Sequence, residues 1–250
     1  MAAMKKSSPI VLLLVIVLST ACNTIYNPQS LEYADYRVKQ QPITDSSIVK
    51  LLSPYSTSLN ASMNEVLGTV AATLEKKQPE GSLGNLMAEI MLVAAKKKFA
   101  QPVDAAVMNY GGVRLPEIAP GPFTRGKLFE LSPFDNTIVL LTIKGSVLKQ
   151  FLDHIASLGG WPVAGMRMQI SNKKATQVTI GGRQLDENAQ YAVATVDYVA
   201  NGGDDSFMLK SLPRQDRGIL LRDELGAYFV QLQKEGKSIT STTDGRITSN

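Results

Sequence analysis

The sequence predicts one mixed α+β domain of about 200 residues behind a short leader and a polar tether. Three observations predict it. Helix-like and strand-like segments are mixed along a single run from Thr44 to Asn250. Neither a low-complexity linker nor an internal repeat divides that run. Hydrophobic residues make up 44% and charged residues 19%, enough apolar side chain for a substantial core and too little charge for a disordered chain. The expected boundaries are a leader over 1–21, a tether over 22–43 and the domain over 44–250.

The leader reads as an export signal. Lys5-Lys6 precede a short apolar run, Ile10 to Leu18, followed by Ser19-Thr20-Ala21-Cys22. A basic start, a short apolar stretch and small residues before a cleavage point define such signals. The run falls well short of the ~20 residues that a membrane-spanning helix needs. Cys22 is the only Cys in the chain. It stands where the lipid-modified residue of a bacterial lipoprotein stands, although Ser19 occupies the place of a large aliphatic residue. An ordinary signal peptide is the alternative. The expected location is exported and membrane-anchored, in the bacterial periplasm or at the cell surface. Asn23 to about Gln41 carries Pro, Gln and Tyr without periodicity and reads as a tether.

From Thr44 the pattern turns helical. Ile48, Leu51, Leu52, Tyr55, Leu59, Met63 and Val66 recur at spacings that share one face. Thr44, Asp45 and Ser46 offer N-cap side chains, and Pro54 is expected to kink the helix rather than end it. Leu67–Leu74 reads as a strand. Ser82–Phe99 reads as a helix with Leu83, Leu86, Met87, Ile90, Met91 and either Val93 or Ala94 inward. Asp104–Met108 is a short strand. Thr137–Ile143 is apolar almost throughout, as in a strand covered on both faces. Gly145–Ser157 is a helix with Val147, Leu148, Phe151, Leu152 and Ile155 in one arc. Met166–Ser171, Gln177–Ile180 and Tyr191–Val196 read as strands, with Gly181-Gly182 as a turn. Ile219–Lys234 is a last helix, and Gly245-Arg246-Ile247 a terminal extended piece.

Charge and composition exclude several functions. The 26 cations exceed the 22 acids by four, and without Lys5 and Lys6 the excess is two. A nucleic-acid binder needs a concentrated basic face, and only Lys96-Lys97-Lys98 is dense. That run fits a solvated helix end favoured by the helix dipole. The chain has one His, His154, and one Cys, which excludes multi-histidine zinc sites, disulfides and Cys–His nucleophile pairs. His154 follows Asp153 on a helix, where adjacent residues point about 100° apart and cannot pair. It is expected half-exposed at the edge of the apolar face. The Gly pairs have neither phosphate-loop nor dinucleotide spacing, and each is expected to mark a turn with positive φ.

Two strand ends nonetheless resemble sites. Asn109-Tyr110-Gly111-Gly112-Val113-Arg114 breaks from a strand into glycines and then a long cation. Asp197-Tyr198-Val199-Ala200-Asn201-Gly202-Gly203-Asp204-Asp205 breaks from a strand into an aromatic residue, glycines and acids. Pro133-Phe134-Asp135-Asn136 places an aromatic residue in a turn. Binding groups collect on such loops. Two aromatic faces can hold a planar ring, a carboxylate can accept from paired hydroxyls, and Arg can hold an anion. Ordinary turn chemistry would account for each segment taken singly.

Taken together, the segments resemble the C-terminal domain of the 5′-nucleotidase/UDP-sugar hydrolase family. The motifs at Asn109–Arg114, Leu131–Thr137 and Tyr198–Asp204 occur in that family's order. Glu80-Gly81-Ser82-Leu83-Gly84-Asn85-Leu86 resembles its helix start, and Val163–Arg167 another of its segments. The resemblance implies a mixed sheet packed with helices and a site for the nucleoside part of a substrate. Phe134 and Tyr198 then correspond to the pair that stacks on the base. Tyr198 stands where many members have Phe, and only its ring is given a part. Asp204 corresponds to the acid that accepts from the ribose hydroxyls, and Asn109 and Arg114 face ribose and phosphate. Gly111, Gly112, Gly202 and Gly203 support the loops. Lys77 stands where the family has an Arg, which keeps the charge and loses the planar fork.

Full-length members begin with a metallophosphatase domain whose Asp, His and Asn ligands hold two metal ions. The stretch before residue 46 contains no His, and Asp35 and Asp45 are its Asp residues. This chain is therefore expected to carry no metal centre or cofactor of its own. The resemblance implies the substrate-binding part of a split 5′-nucleotidase in nucleotide catabolism, with the divalent metals on a partner metallophosphatase. A stand-alone exported receptor for nucleosides or nucleotides is the alternative, and a structural remnant a third.

Overall fold

A computed structural model of the protein describes residues 45–250. The leader, the tether and Cys22 lie outside the described residues. Lys50–Asn250 form one compact unit, distinct from the residues up to Val49.

Helix α1 (Ser46–Met63) is capped by Asp45, whose carboxylate accepts from the Ser47 amide at 2.8 Å. It runs through Pro54 without ending, and Ile48, Leu51, Leu52, Tyr55 and Leu59 of its apolar stripe are exposed, with Met63 half-buried at its end. The expected strand over Leu67–Leu74 divides into β1 (Val66–Val70) and β2 (Leu74–Glu75). The break follows Val70, where the Ala71 amide turns to the Ile239 carbonyl at 3.1 Å. Helix α2 (Ser82–Phe99) has the expected bounds, with Ala94 inward and Val93 exposed. After β3 (Ala105–Val107) come β4 (Glu117–Ile118), β5 (Gly121–Thr124) and a helix that the sequence did not suggest, α3 (Arg125–Leu131). Gly126 weakens its helical signature. The helix forms because the Thr124 hydroxyl accepts from the Lys127 amide and Leu128 and Leu131 are buried.

Strand β6 (Thr137–Lys144) buries Ile138, Val139, Leu140 and Leu141 in succession, as expected for a strand covered on both faces. Helix α4 (Gly145–Ser157) buries Leu148, Phe151, Leu152 and Ile155. It leads to β7 (Val163–Ala164), β8 (Met166–Ser171), β9 (Lys174–Ile180), β10 (Arg183–Gln184) and β11 (Gln190–Val196). Gly181 and Gly182 both have positive φ and join β9 to β10 as a hairpin. The short helix α5 (Asp197–Ala200) follows, then β12 (Arg214–Leu220), α6 (Leu221–Lys234) and β13 (Ile247–Ser249). Ile219 thus lies within strand β12 instead of opening the last helix.

The strands form a five-stranded mixed sheet in the order β12-β6-β11-β3-β7 and a four-stranded sheet in the order β10-β9-β8-β13. Two small ribbons, β1-β5 and β2-β4, complete the set. Helix α2 packs on β3, β7 and α6, and helix α4 packs on β9. Phe123 meets Phe229 edge-on at 5.1 Å, and Phe151 meets Trp161 at 5.8 Å. These contacts make a mixed α/β core whose central strand is β11. Glu80 ties the start of α2 to the far end of the chain. Its carboxylate accepts from Asn85 Nδ2 at 2.7 Å and from the amides of Asp244 and Gly245.

Candidate functional site

The sheet topology brings three loops to one edge. Strand β11 runs parallel to β3, so the segments after Val107 and after Val196 leave at the same side. Strand β6 is antiparallel to β11, with Ile138 opposite Val196, so the segment before β6 arrives there too. Asn109, Phe134 and Tyr198 are therefore neighbours although scattered in sequence.

These loops enclose a cavity of about 270 Å3. Asn109, Gly111, Gly112, Arg114, Phe134, Asn136, Tyr198 and Asp204 line it. Five of the six side chains singled out in the sequence are thus brought together. Lys77 is not, because its side chain is exposed and does not line the cavity. Its neighbour Lys76 lies nearer, with its ammonium 4.2 Å from the centre of the Tyr110 ring. Burial, helped by the charge of Arg114, pushes the Lys76 amine below its ordinary value.

Asp204 is the hub. Asn109 Nδ2 donates to its Oδ2 at 2.7 Å, and the Tyr198 hydroxyl donates to its Oδ1 at 2.9 Å. Each carboxylate oxygen keeps a further lone pair for a ligand hydroxyl. The same bond to Asp204 holds the Tyr198 hydroxyl above the usual phenol range, so it remains a donor at neutral pH. Ring stacking alone gave this hydroxyl no part, so its hold on the acid is a correction. Asn109 Oδ1 is buried and has no hydrogen-bond partner among the described residues, which leaves one acceptor in the cavity wall uncommitted.

Phe134 and Tyr198 are 51% and 45% exposed. Large aromatic rings left open on a shared cavity offer faces to a planar ligand. The Arg114 guanidinium lies 5.5 Å from the centre of the Phe134 ring and donates to the Gly111 carbonyl at 3.3 Å. It brings the cavity a positive charge suited to an anion.

The glycines act differently from the sequence expectation. Of the four, only Gly202 has positive φ. Gly111 and Gly112 lie in a 3-10 turn, Tyr110–Gly112. A Cβ on Gly112 would sit 2.7 Å from Asn109 Oδ1. A Cβ on Gly203 would sit 2.5 Å from the Tyr198 ring. Both are glycines because binding side chains lie against them.

Arg222, which belongs to no sequence motif, fixes the Phe134 turn. Its Nη1 donates to the carbonyls of Ser132, Pro133 and Phe134 at 3.2, 3.0 and 3.4 Å. Its Nη2 bonds the Asp135 carboxylate. The side chain is 9% exposed and comes from α6, far away in sequence. An Arg in a helix first turn carries no sequence signal for that role. Asn136, the last residue of the turn motif, also lines the cavity.

A larger groove of about 530 Å3 lies elsewhere, beside Glu89, Arg167, Asp244 and Arg246. Its charges are already paired with one another, Arg246 to Glu89 at 2.6 Å and Arg167 to Asp244 at 2.9 Å. Among the described residues no three His, Cys, Asp or Glu side chains are grouped to hold a metal ion.

The fold and the cleft define a class of mixed α/β domain that gathers aromatic, acidic, amide and cationic side chains at one sheet edge. The family profile described as "5'-nucleotidase, C-terminal domain" matches residues 55–211, and the chain belongs to that family. It is 31% identical over 179 residues to Protein UshA of Yersinia enterocolitica, covering 70% of this chain and 32% of that protein. The 5'-nucleotidase precursor of Thermus thermophilus superposes with a TM-score of 0.70 at 27% identity, over 80% of this chain and 42% of that one. The sulfate thiohydrolase SoxB of the same genus shares the fold, with a TM-score of 0.61 at 18% identity over 81% of this chain and 38% of that one. The chain spans about a third of the length of the first curated relatives it matches, between 30% and 34%.

Proposed function

We propose that this chain binds the nucleoside part of a nucleotide and serves as the substrate-binding half of a split 5′-nucleotidase. The observation that carries the reading is the cavity in which Phe134, Tyr198, Asp204, Asn109 and Arg114 meet. A base would lie between the two aromatic faces. The ribose hydroxyls would donate to Asp204, and Arg114 would hold the phosphate. Hydrolysis falls to a separate metallophosphatase chain, whose divalent ions would polarise the phosphate and activate water.

The purified chain should hydrolyse no nucleotide, with or without added divalent metal. Co-expression with a metallophosphatase partner should restore phosphate release from nucleoside monophosphates. Turnover by the chain alone, after removal of contaminating phosphatase, would sink the split-enzyme reading. Nucleoside binding with no productive partner would favour a stand-alone receptor.

The same proposal anchors the chain to a membrane through lipid on Cys22 after export. Cys22→Ser should release the protein from the membrane fraction or leave the leader uncleaved. Mass spectrometry showing an unmodified Cys22 in the mature protein would rule the anchor out.

A further inference from the structure

Asp204 is held in an unusual backbone conformation. Its φ and ψ are 48° and 43°, and Asp205 follows at φ 59°. A residue with a side chain populates this left-handed region at a cost and stays there only when its surroundings over-determine it. Asn109 and Tyr198 hold the carboxylate, and the Tyr198 hydroxyl also accepts from the Asp204 amide at 3.3 Å, but neither side chain reaches the peptide plane on the carbonyl side of Asp204. That plane is gripped from behind. His154 Nε2 lies 2.8 Å from the Asp204 carbonyl oxygen. A carbonyl only accepts, so the Nε2 proton must point at it.

The support is rigid. His154 sits on α4, a 13-residue helix whose opposite face is core. Its ring meets Trp161 edge-on at 6.0 Å, and Trp161 is 2% exposed and itself edge-on to Phe151. Helix α4 also packs on the 3-10 turn Phe207–Leu209, just beyond the acid. His154 does not line the cavity. Its reach to the ligand is entirely through Asp204.

We infer that His154 is a positioning residue for the sugar-binding acid: its imidazole Nε2–H locks the strained Asp204 peptide so that the carboxylate faces the ribose hydroxyls. The inference rests on the reading of Asp204 as the ribose acceptor. It assigns the chain's single histidine neither to proton transfer nor to metal binding, but to discrimination between ribose and deoxyribose.

The test pairs two variants with two ligands. Adenosine and 2′-deoxyadenosine are titrated calorimetrically into wild type, His154→Leu and His154→Gln. His154→Leu removes the donor and keeps an apolar side chain against Trp161. His154→Gln returns an N–H at similar reach. The preference for adenosine, expected at about tenfold in wild type, should collapse towards unity in His154→Leu and return in His154→Gln. A merely structural histidine would lower melting temperature without moving that ratio. Because the chain has one His, a 15N–1H imidazole spectrum of untagged protein also reports the bond directly. A proton on Nε2 that shifts with adenosine supports it. An unprotonated Nε2, or a His154→Leu variant with the full wild-type preference, overturns it. Failure of wild type to bind either nucleoside would overturn the proposed function instead. The imidazole spectrum would then decide the brace by itself, with Nε2–H supporting it and bare Nε2 refuting it.

Discussion

Replacing Asp204 should weaken adenosine binding by one to two orders of magnitude and erase the preference for ribose over deoxyribose. A carboxylate accepting from a sugar hydroxyl makes a charge-assisted bond worth about 1.5–3 kcal/mol. Asp204→Ala also strands the two donors now satisfied by its oxygens, Asn109 Nδ2 and the Tyr198 hydroxyl. Ala is poorly suited to the positive φ at this position, whereas Asn tolerates it. Asp204→Asn is therefore the cleaner variant, because it keeps the backbone and removes the charge. Asp205→Asn is the control. Asp205 shares the left-handed backbone but does not line the cavity, so its variant should bind almost normally. A double-mutant cycle pairs each variant with removal of the ligand 2′-hydroxyl. Coupling near zero at Asp204, or larger at Asp205, would place the ribose on the wrong acid.

Loss of either aromatic face should cost a comparable amount. Base–aromatic stacking is worth roughly 1–3 kcal/mol per base. Phe134→Ala and Tyr198→Ala should each weaken nucleoside binding about tenfold or more. Tyr198→Phe separates the ring from the hydroxyl. A pure stacking role would leave this variant silent. The bond to Asp204 changes that expectation to a loss of several-fold, about what one ordinary net hydrogen bond contributes. The pH dependence gives a second readout. The raised phenol pKa means that the hydroxyl–carboxylate bond is complete below the ordinary phenol value. It is lost as pH rises through the raised value, so wild type and Tyr198→Phe should converge in strongly alkaline solution. Equal losses in Tyr198→Phe and Tyr198→Ala would show that the ring contributes nothing, and the two-faced cleft would have to be abandoned.

Local pattern alone carried much of the fold. Helices α2 and α4 were legible to the residue because their apolar positions recur with helical spacing and face a core. Strand β6 was legible because continuous apolar sequence is tolerated only where both faces are covered. Strand β12 was not. Its Arg214-Gln215-Asp216-Arg217 stretch is exposed and polar, and it is a strand only because β6 offers it a free backbone edge. Helix α1 shows the reverse case. Its apolar stripe is clear in sequence, yet burial does not follow from periodicity, and the stripe is exposed.

The cleft divides in the same way. Which residues form it was determined by the sequence, through motifs whose aromatic, acidic, amide and cationic groups suit a base, a sugar and an anion. How they act was decided by the tertiary structure. Parallel pairing of β11 with β3 brings Asn109 to within a hydrogen bond of Asp204, 95 positions away. Helix α6 supplies Arg222 to the Phe134 turn, and helix α4 supplies His154 to the Asp204 carbonyl. Contacts between distant segments leave no periodic trace in a chain, because a single polar side chain looks the same whether it meets water or a carbonyl.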